Sequence, residues 1–195
     1  MERQAALDHY LSLLANYPWL RVELCWAVIE SKPHVLEEHE LGDRLALGHP
    51  WEIRRGQLDE FSDDNVVHIS YARQRAAFLL LEIGYHVSRP DVLSMLSRNA
   101  DVTYVHWNVE GANQLAQIAN GQSVWSVDIF DADEWPSQVF HESPLFDLFR
   151  MTSNARAASM AIVDLMTGVR LENEFIEGTG SGFVFSYFPF QPGVR

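Results

Sequence analysis

The segment that most constrains the fold runs from Val102 to Phe130, VTYVHWNVEGANQLAQIANGQSVWSVDIF, where short β-rich runs are separated by Glu110-Gly111 and Asn120-Gly121. Asn-Gly between alternating apolar residues is the strongest short-range hairpin signal, because both central residues of the tight primed turn need positive φ. The segment therefore predicts three antiparallel strands. Taken as two-residue loops, the turns set Val109 opposite Ala112 and Ala119 opposite Gln122. Successive side chains point to opposite faces, so counting back in twos sorts them. One face then carries Val105, Trp107, Ala116, Trp125, Val127 and Ile129. The other carries Tyr104, His106, Asn108, Asn113, Leu115, Ser126 and Asp128, with Asn108, Asn113 and Asp128 in one row and His106 in the next.

The rest of the chain supplies helices to cover that sheet. Glu2 to Asn16 places Ala6, Leu7, Tyr10, Leu11, Leu13 and Leu14 on one broad face, and Pro18 ends it. Further helices are expected over Trp19–Ser31 and over Pro33–Leu47, the latter with Pro at its start and Gly48 just past its end. VVHIS and AAFLLLEIGYH are strand candidates, although Tyr71–Leu81 also reads as helix. Ser88 is placed as the cap of a short helix opened by Pro90, and Ser153–Met166 forms a clear helix closed by Gly168. SGFVFSYFPF is a last strand that Pro189 confines to an edge or ends. The prediction is a single α+β domain over residues 1–195. A helical N-terminal segment (1–62) packs against an antiparallel sheet-containing core (66–190), with the Ser153–Met166 helix on the tryptophan face through Ala157, Ile162 and Met166.

The opposite face presents a His, a carboxylate and two amides. Tyr104, His106, Asn108, Asn113 and Asp128 are accordingly the candidate ligand-binding residues, with His106 as a proton carrier. An antiparallel sheet ordinarily keeps one face wet, so the same pattern also describes a plain solvated face. Other clusters carry less. His34, His39 and Glu38 have helical spacing but lack a third ligand in register, DIFDADE lacks the alternate spacing of a calcium loop, and GTGSG has no helix after it. There is no P-loop, dinucleotide fingerprint or nucleophile elbow, so no cofactor and no catalytic residue are expected.

Charge narrows the partners. The formal net charge is −13, and between Arg98 and Arg150 there is no Lys or Arg. Such a chain is a poor match for nucleic acid or an anionic membrane surface, and suits a basic protein partner or a cationic ligand. Asp131, Asp133 and Glu134 form the candidate partner-binding cluster, which also reads as a rim keeping an edge strand soluble. Cys25, the only cysteine, lies in an apolar run and reads as a small buried hydrophobe. The amphipathic N-terminus lacks a basic, apolar leader, and no stretch is apolar enough to span a bilayer, so a cytoplasmic location is expected.

Ser88-Arg89-Pro90, Trp107-Asn108-Val109 and Thr167-Gly168-Val169-Arg170-Leu171, with the sequence around them, resemble an actinobacterial family known only as a domain of unknown function. The resemblance covers roughly residues 78–177. It implies a bacterial cytoplasmic α+β domain, and no reaction or catalytic residue follows from it. Three functions remain in view. One is a non-catalytic binding or regulatory protein using its acidic surface. Another is a small-molecule enzyme or binder on the polar sheet face. The third is an oligomerisation module.

Overall fold

A computed structural model describes residues 1–55, 66–131, 144–177 and 181–186. In chain order the elements are α1 (Glu2–Asn16), a 3-10 turn (Pro18–Arg21), β1 (Leu24–Ser31), α2 (Glu38–Ala46), β2 (Trp51–Arg55), β3 (Val66–Gln74), β4 (Ala77–Glu82) and α3 (Pro90–Leu96). Then follow β5 (Ala100–Trp107), β6 (Asn113–Ala119), β7 (Gln122–Asp128), a 3-10 turn (Pro144–Asp147), α4 (Leu148–Met151), α5 (Ala155–Thr167), α6 (Asn173–Glu177) and β8 (Ser181–Ser186). The fold is α+β: one eight-stranded antiparallel sheet in the order β2-β8-β3-β4-β1-β5-β6-β7, with helices on both faces.

The N-terminal third is not helical throughout. Leu24–Ser31, expected as helix, is the strand between β4 and β5, and β2 forms one edge of the sheet. The reason is burial on both sides. Leu24, Trp26 and Val28 point to the face covered by α1 and α5, while Cys25, Ala27 and Ile29 point to the face covered by α2 and α3. A strand buried on both faces loses its alternation and reads as a continuous apolar run, which periodicity alone cannot tell from a helix. Tyr71–Leu81, read both ways, is the β3–β4 hairpin. The last strand ends at Ser186 and lies between β2 and β3.

The first and the longest C-terminal helix fall as expected. α1 buries Ala6, Leu7, Tyr10, Leu13 and Leu14. α5 starts on Asn154, whose side chain accepts from Ala157 N at 3.1 Å, and closes on Gly168 at φ 66°, whose N–H reaches Asp164 O. It buries Ala157 and Ile162 in the tryptophan-side core, with Met166 partly buried against it. α3 begins at Pro90, but Ser88 does not cap it. The Ser88 hydroxyl donates to Tyr85 O at 2.9 Å instead. No helix among the described residues is long and apolar enough to cross a membrane.

Candidate functional site

The register of β5, β6 and β7 decides what the sheet face can do. The turn at Glu110-Gly111 is a three-residue loop, Val109–Gly111. Asn108 N donates to Ala112 O at 3.0 Å, Gly111 N donates to Asn108 O, and Gly111 takes φ 95°. Trp107 therefore pairs with Asn113 and Val105 with Leu115, one residue out of the expected register. Asn120-Gly121 is the two-residue turn its sequence announces, but a bulge near Gln117 and Ile118 sets Gln117 opposite Trp125. A one-residue shift moves every side chain of a strand to the other face. Leu115 thus joins Trp107 and Val127 in the tryptophan-side core, and Ala116 joins Tyr104 on the other side.

The expected row Asn108–Asn113–Asp128 is accordingly not formed. Asn113 lies on the tryptophan side, with its amide donating to Gly111 O at 3.0 Å. Asn108 closes the hairpin, its Oδ1 accepting from Glu110 N and Ala112 N, both at 3.0 Å. The row that exists runs Glu82, Cys25, His106, Gln114, Asp128 across five strands. It is neither a wet face nor an open pocket. Tyr104 and His106 are 1% and 4% exposed. The Tyr104 hydroxyl donates to Gln114 Oε1, and the Gln114 amide donates to Ser126 Oγ at 2.6 Å. Only towards the β7 edge, at Ser126 and Asp128, does the face meet water.

Burial sets the chemistry of this row. It pushes the Cys25 thiol well up, with the Glu82 charge adding to the effect, so no thiolate nucleophile is available. It pushes His106 down and so keeps the imidazole neutral, with Nε2 lacking a partner. Glu82 is raised to about 7 by burial and by the nearby Glu23 charge, against two backbone donors, His86 N at 2.9 Å and Val87 N at 2.8 Å. Among the described residues no group of three His, Cys, Asp or Glu side chains is arranged to hold a metal ion. Clefts of about 370 and 140 Å³ lie away from the row, the first lined by Arg75, Asp164, Arg170 and Glu172, the second by Lys32, His34 and Arg44.

The exposed apolar surface gathers instead at the end of the sheet where β1 begins and β4, β5 and β7 end. Trp19 and Val22 precede β1, Ile83 and Tyr85 follow β4, Val109 tips the β5–β6 loop, and Phe130 follows β7. Together they are six of the eleven exposed large apolar side chains among the described residues. Tyr85 is 65% and Val109 77% exposed, so these are not core residues that happen to reach the surface. Glu23 and Glu110 lie among them, and burial together with the Glu110 charge raises the Glu23 carboxyl. Glu23, Glu110 and the exposed Asp131 make no ion pair with described residues. Asp133 and Glu134 lie outside the described residues.

Of the residues singled out from sequence, Tyr104 and His106 share a face, Asp128 sits at its open edge, and Asn108 and Asn113 are elsewhere. Sequence reasoning missed Glu23, Ile83, Tyr85 and Val109. The one available signal was large apolar residues beside turn glycines, Ile83-Gly84-Tyr85 and Val109-Glu110-Gly111. No known protein family, curated protein or solved structure matches the chain.

Proposed function

We propose that this chain is a non-catalytic binding or accessory protein that captures a basic, apolar-bearing segment of a protein partner at the open end of its sheet. The observation that carries the reading is the convergence at that end of exposed Val22, Ile83, Tyr85 and Val109 with the carboxylates of Glu23, Glu110 and Asp131, which have no ion-pair partner among the described residues. Clustered exposed apolar side chains mark interaction sites, and carboxylates without cations select a partner that brings its own. The absence of Lys and Arg between Arg98 and Arg150 in the sequence keeps that stretch of chain free of competing cations. The reading takes the protein as a cytoplasmic bacterial relative of the domain family it resembles. The small-molecule reading needed Asn108, Asn113 and Asp128 in one row beside His106, and that geometry is absent.

The test is affinity capture from bacterial lysate with the wild-type chain and with a Glu23→Lys, Glu110→Lys double variant, followed by titration of the purified hit. A basic protein retained by wild type, released by added salt and lost from the variant supports the proposal. Identical capture by the two chains refutes it. Light scattering on the same samples separates self-association from partner capture.

A further inference from the structure

At the other end of the sheet, where β3 turns into β4, a cleft of about 370 Å³ opens between that turn, the start of α1 and the segment that follows α5. Its size falls in the range of small-molecule sites, about 300–1,000 Å³. Arg75 and Arg170 line it together with the carboxylates of Glu2, Asp164 and Glu172.

Both guanidiniums are set in place by the fold. The Arg170 Nε–H donates to Oδ2 of Asp164 at 2.6 Å, and Asp164 is only 5% exposed. The backbone beside it is pinned from two further elements: the Gln74 amide donates to Arg170 O at 2.9 Å, and Leu171 N donates to the buried Tyr10 hydroxyl at 3.3 Å. The bond to Asp164 occupies one of the five guanidinium N–H donors. Arg75 is held differently. It takes the first position of the two-residue β3–β4 turn at φ 58°, a conformation that favours glycine. Backbone preference therefore does not select arginine there. Its Nη1 lies 3.3 Å from the place that a Cβ on Gly168 would occupy, so the bare cap of α5 lets the guanidinium settle against the end of that helix. Non-glycine residues held in such backbone regions gather at ligand clamps.

We infer that this cleft binds a small zwitterion of the α-amino acid class, its carboxylate on Arg75 and Arg170 and its ammonium against Glu172 and Glu2. The charges of the lining decide the class. With Asp164 engaged by Arg170, the cleft retains Arg75 of one sign and Glu2 and Glu172 of the other. A plain anion meets those two carboxylates and a plain cation meets the guanidiniums, so like-charge repulsion disfavours each. A molecule that carries both charges a few bonds apart meets opposite charge at each end, and guanidinium forks match its carboxylate oxygens in pairs. Leu165 is the one large apolar residue among the described lining, which suits a short side chain. The site shares no residue with the proposed docking surface, and either reading can fail without the other.

The experiment titrates L-alanine into the full chain at constant ionic strength, following the Gly168 amide and the arginine Nε–H resonances by NMR. Propionate and ethylamine serve as its single-charge halves. Saturable L-alanine binding is expected, about tenfold or more tighter than either half, and weakened about tenfold or more by Arg75→Gly and by Glu172→Gln. Arg54→Gln, at an exposed arginine paired with Glu52, should leave it unchanged. Glycine suits the turn at position 75, so binding lost in that variant reports the guanidinium and not the fold. If Arg75→Gly nevertheless fails to fold, Glu172→Gln decides. Shifts that do not saturate, a single-charge half that binds as tightly as L-alanine, or binding that survives both variants overturns the inference.

Discussion

Replacing Glu82 by Gln gives the sharpest test of the buried row. In the folded chain this carboxyl is raised from 4.5 to about 7, first by burial and then by Glu23, even though His86 N and Val87 N both donate to it. A carboxyl whose folded value is raised binds its proton more tightly in the folded state than in the unfolded one. Its contribution is therefore fully present below about pH 4.5, declines through the interval, and is lost once pH exceeds about 7. A shift of this size corresponds to roughly 3 kcal/mol in total, of which about 2.5 kcal/mol falls between pH 5 and pH 8. The whole-protein curve does not isolate this effect. His68, His86 and His106 are lowered by burial, so they cost stability as pH falls below 6.5, opposite in sign to Glu82. The difference between wild type and Glu82→Gln isolates it, because Gln is close to the protonated acid in shape and charge. Urea unfolding followed by tryptophan fluorescence should show the variant gaining on wild type by about 2.5 kcal/mol from pH 5 to pH 8. A difference that stays flat within about 0.5 kcal/mol would mean that water or a local rearrangement solvates the carboxylate, and that the row is not sealed.

Two further substitutions probe the frame. Gly182→Ala places a methyl group inside the His68 ring on the neighbouring strand, and should cost about 1–3 kcal/mol, read as a lowered Tm without change of secondary structure by circular dichroism. Asn108→Ala removes the acceptor that closes the Val109–Gly111 loop, and should cost about 1 kcal/mol in chemical unfolding, while Asn108→Asp, which keeps the oxygens, should cost less. Equal losses in the two Asn108 variants would show that the side-chain oxygen does not hold the loop.

How much of this was legible in the sequence depended on whether one physical signal dominated at each position. α1 and α5 were readable because each is a sustained run of helix-forming, apolar-rich sequence with a definite end, Pro18 after one and Gly168 after the other. β1 was not, because Trp26 and Cys25 are buried on opposite faces and the alternation that identifies a strand vanished. The three strands of Val102–Phe130 were readable as strands, and their inward tryptophan, Trp107, was assigned to the correct side. The face assignment of β6 failed because Glu110-Gly111 fits a two-residue turn and also the last two positions of a three-residue loop. The sequence near Gln117 also carries no mark of the bulge. The two deviations lie at opposite ends of β6, and each alone suffices to exchange Leu115 with Ala116 relative to one neighbour. The sheet end was invisible for a different reason. Its residues come from four separate connections, and only strand order brings Glu23 near Glu110.

The same connections bear on the proposed binding surface, which is built of loops. Each exposed side chain there is followed or preceded closely by a hydrogen bond between a side chain and the backbone. Glu82 holds the turn after β4 through His86 N and Val87 N, behind Ile83 and Tyr85. Asn108 holds the loop that carries Val109 and Glu110. The Trp107 indole holds Leu20 O, between Trp19 and Val22, and Asp128 accepts from Phe130 N at 2.8 Å. In all four cases the anchoring side chain is the last residue of a strand (Glu82, Trp107, Asp128) or the residue just after one (Asn108), so the rigidity of the sheet is passed to the neighbouring connection. A surface held in this way loses little conformational freedom when a partner docks, which lets a modest apolar area and a few carboxylates bind productively. Glu82 lowers stability above neutral pH, and the two backbone amides that donate to it fix the turn carrying Ile83 and Tyr85.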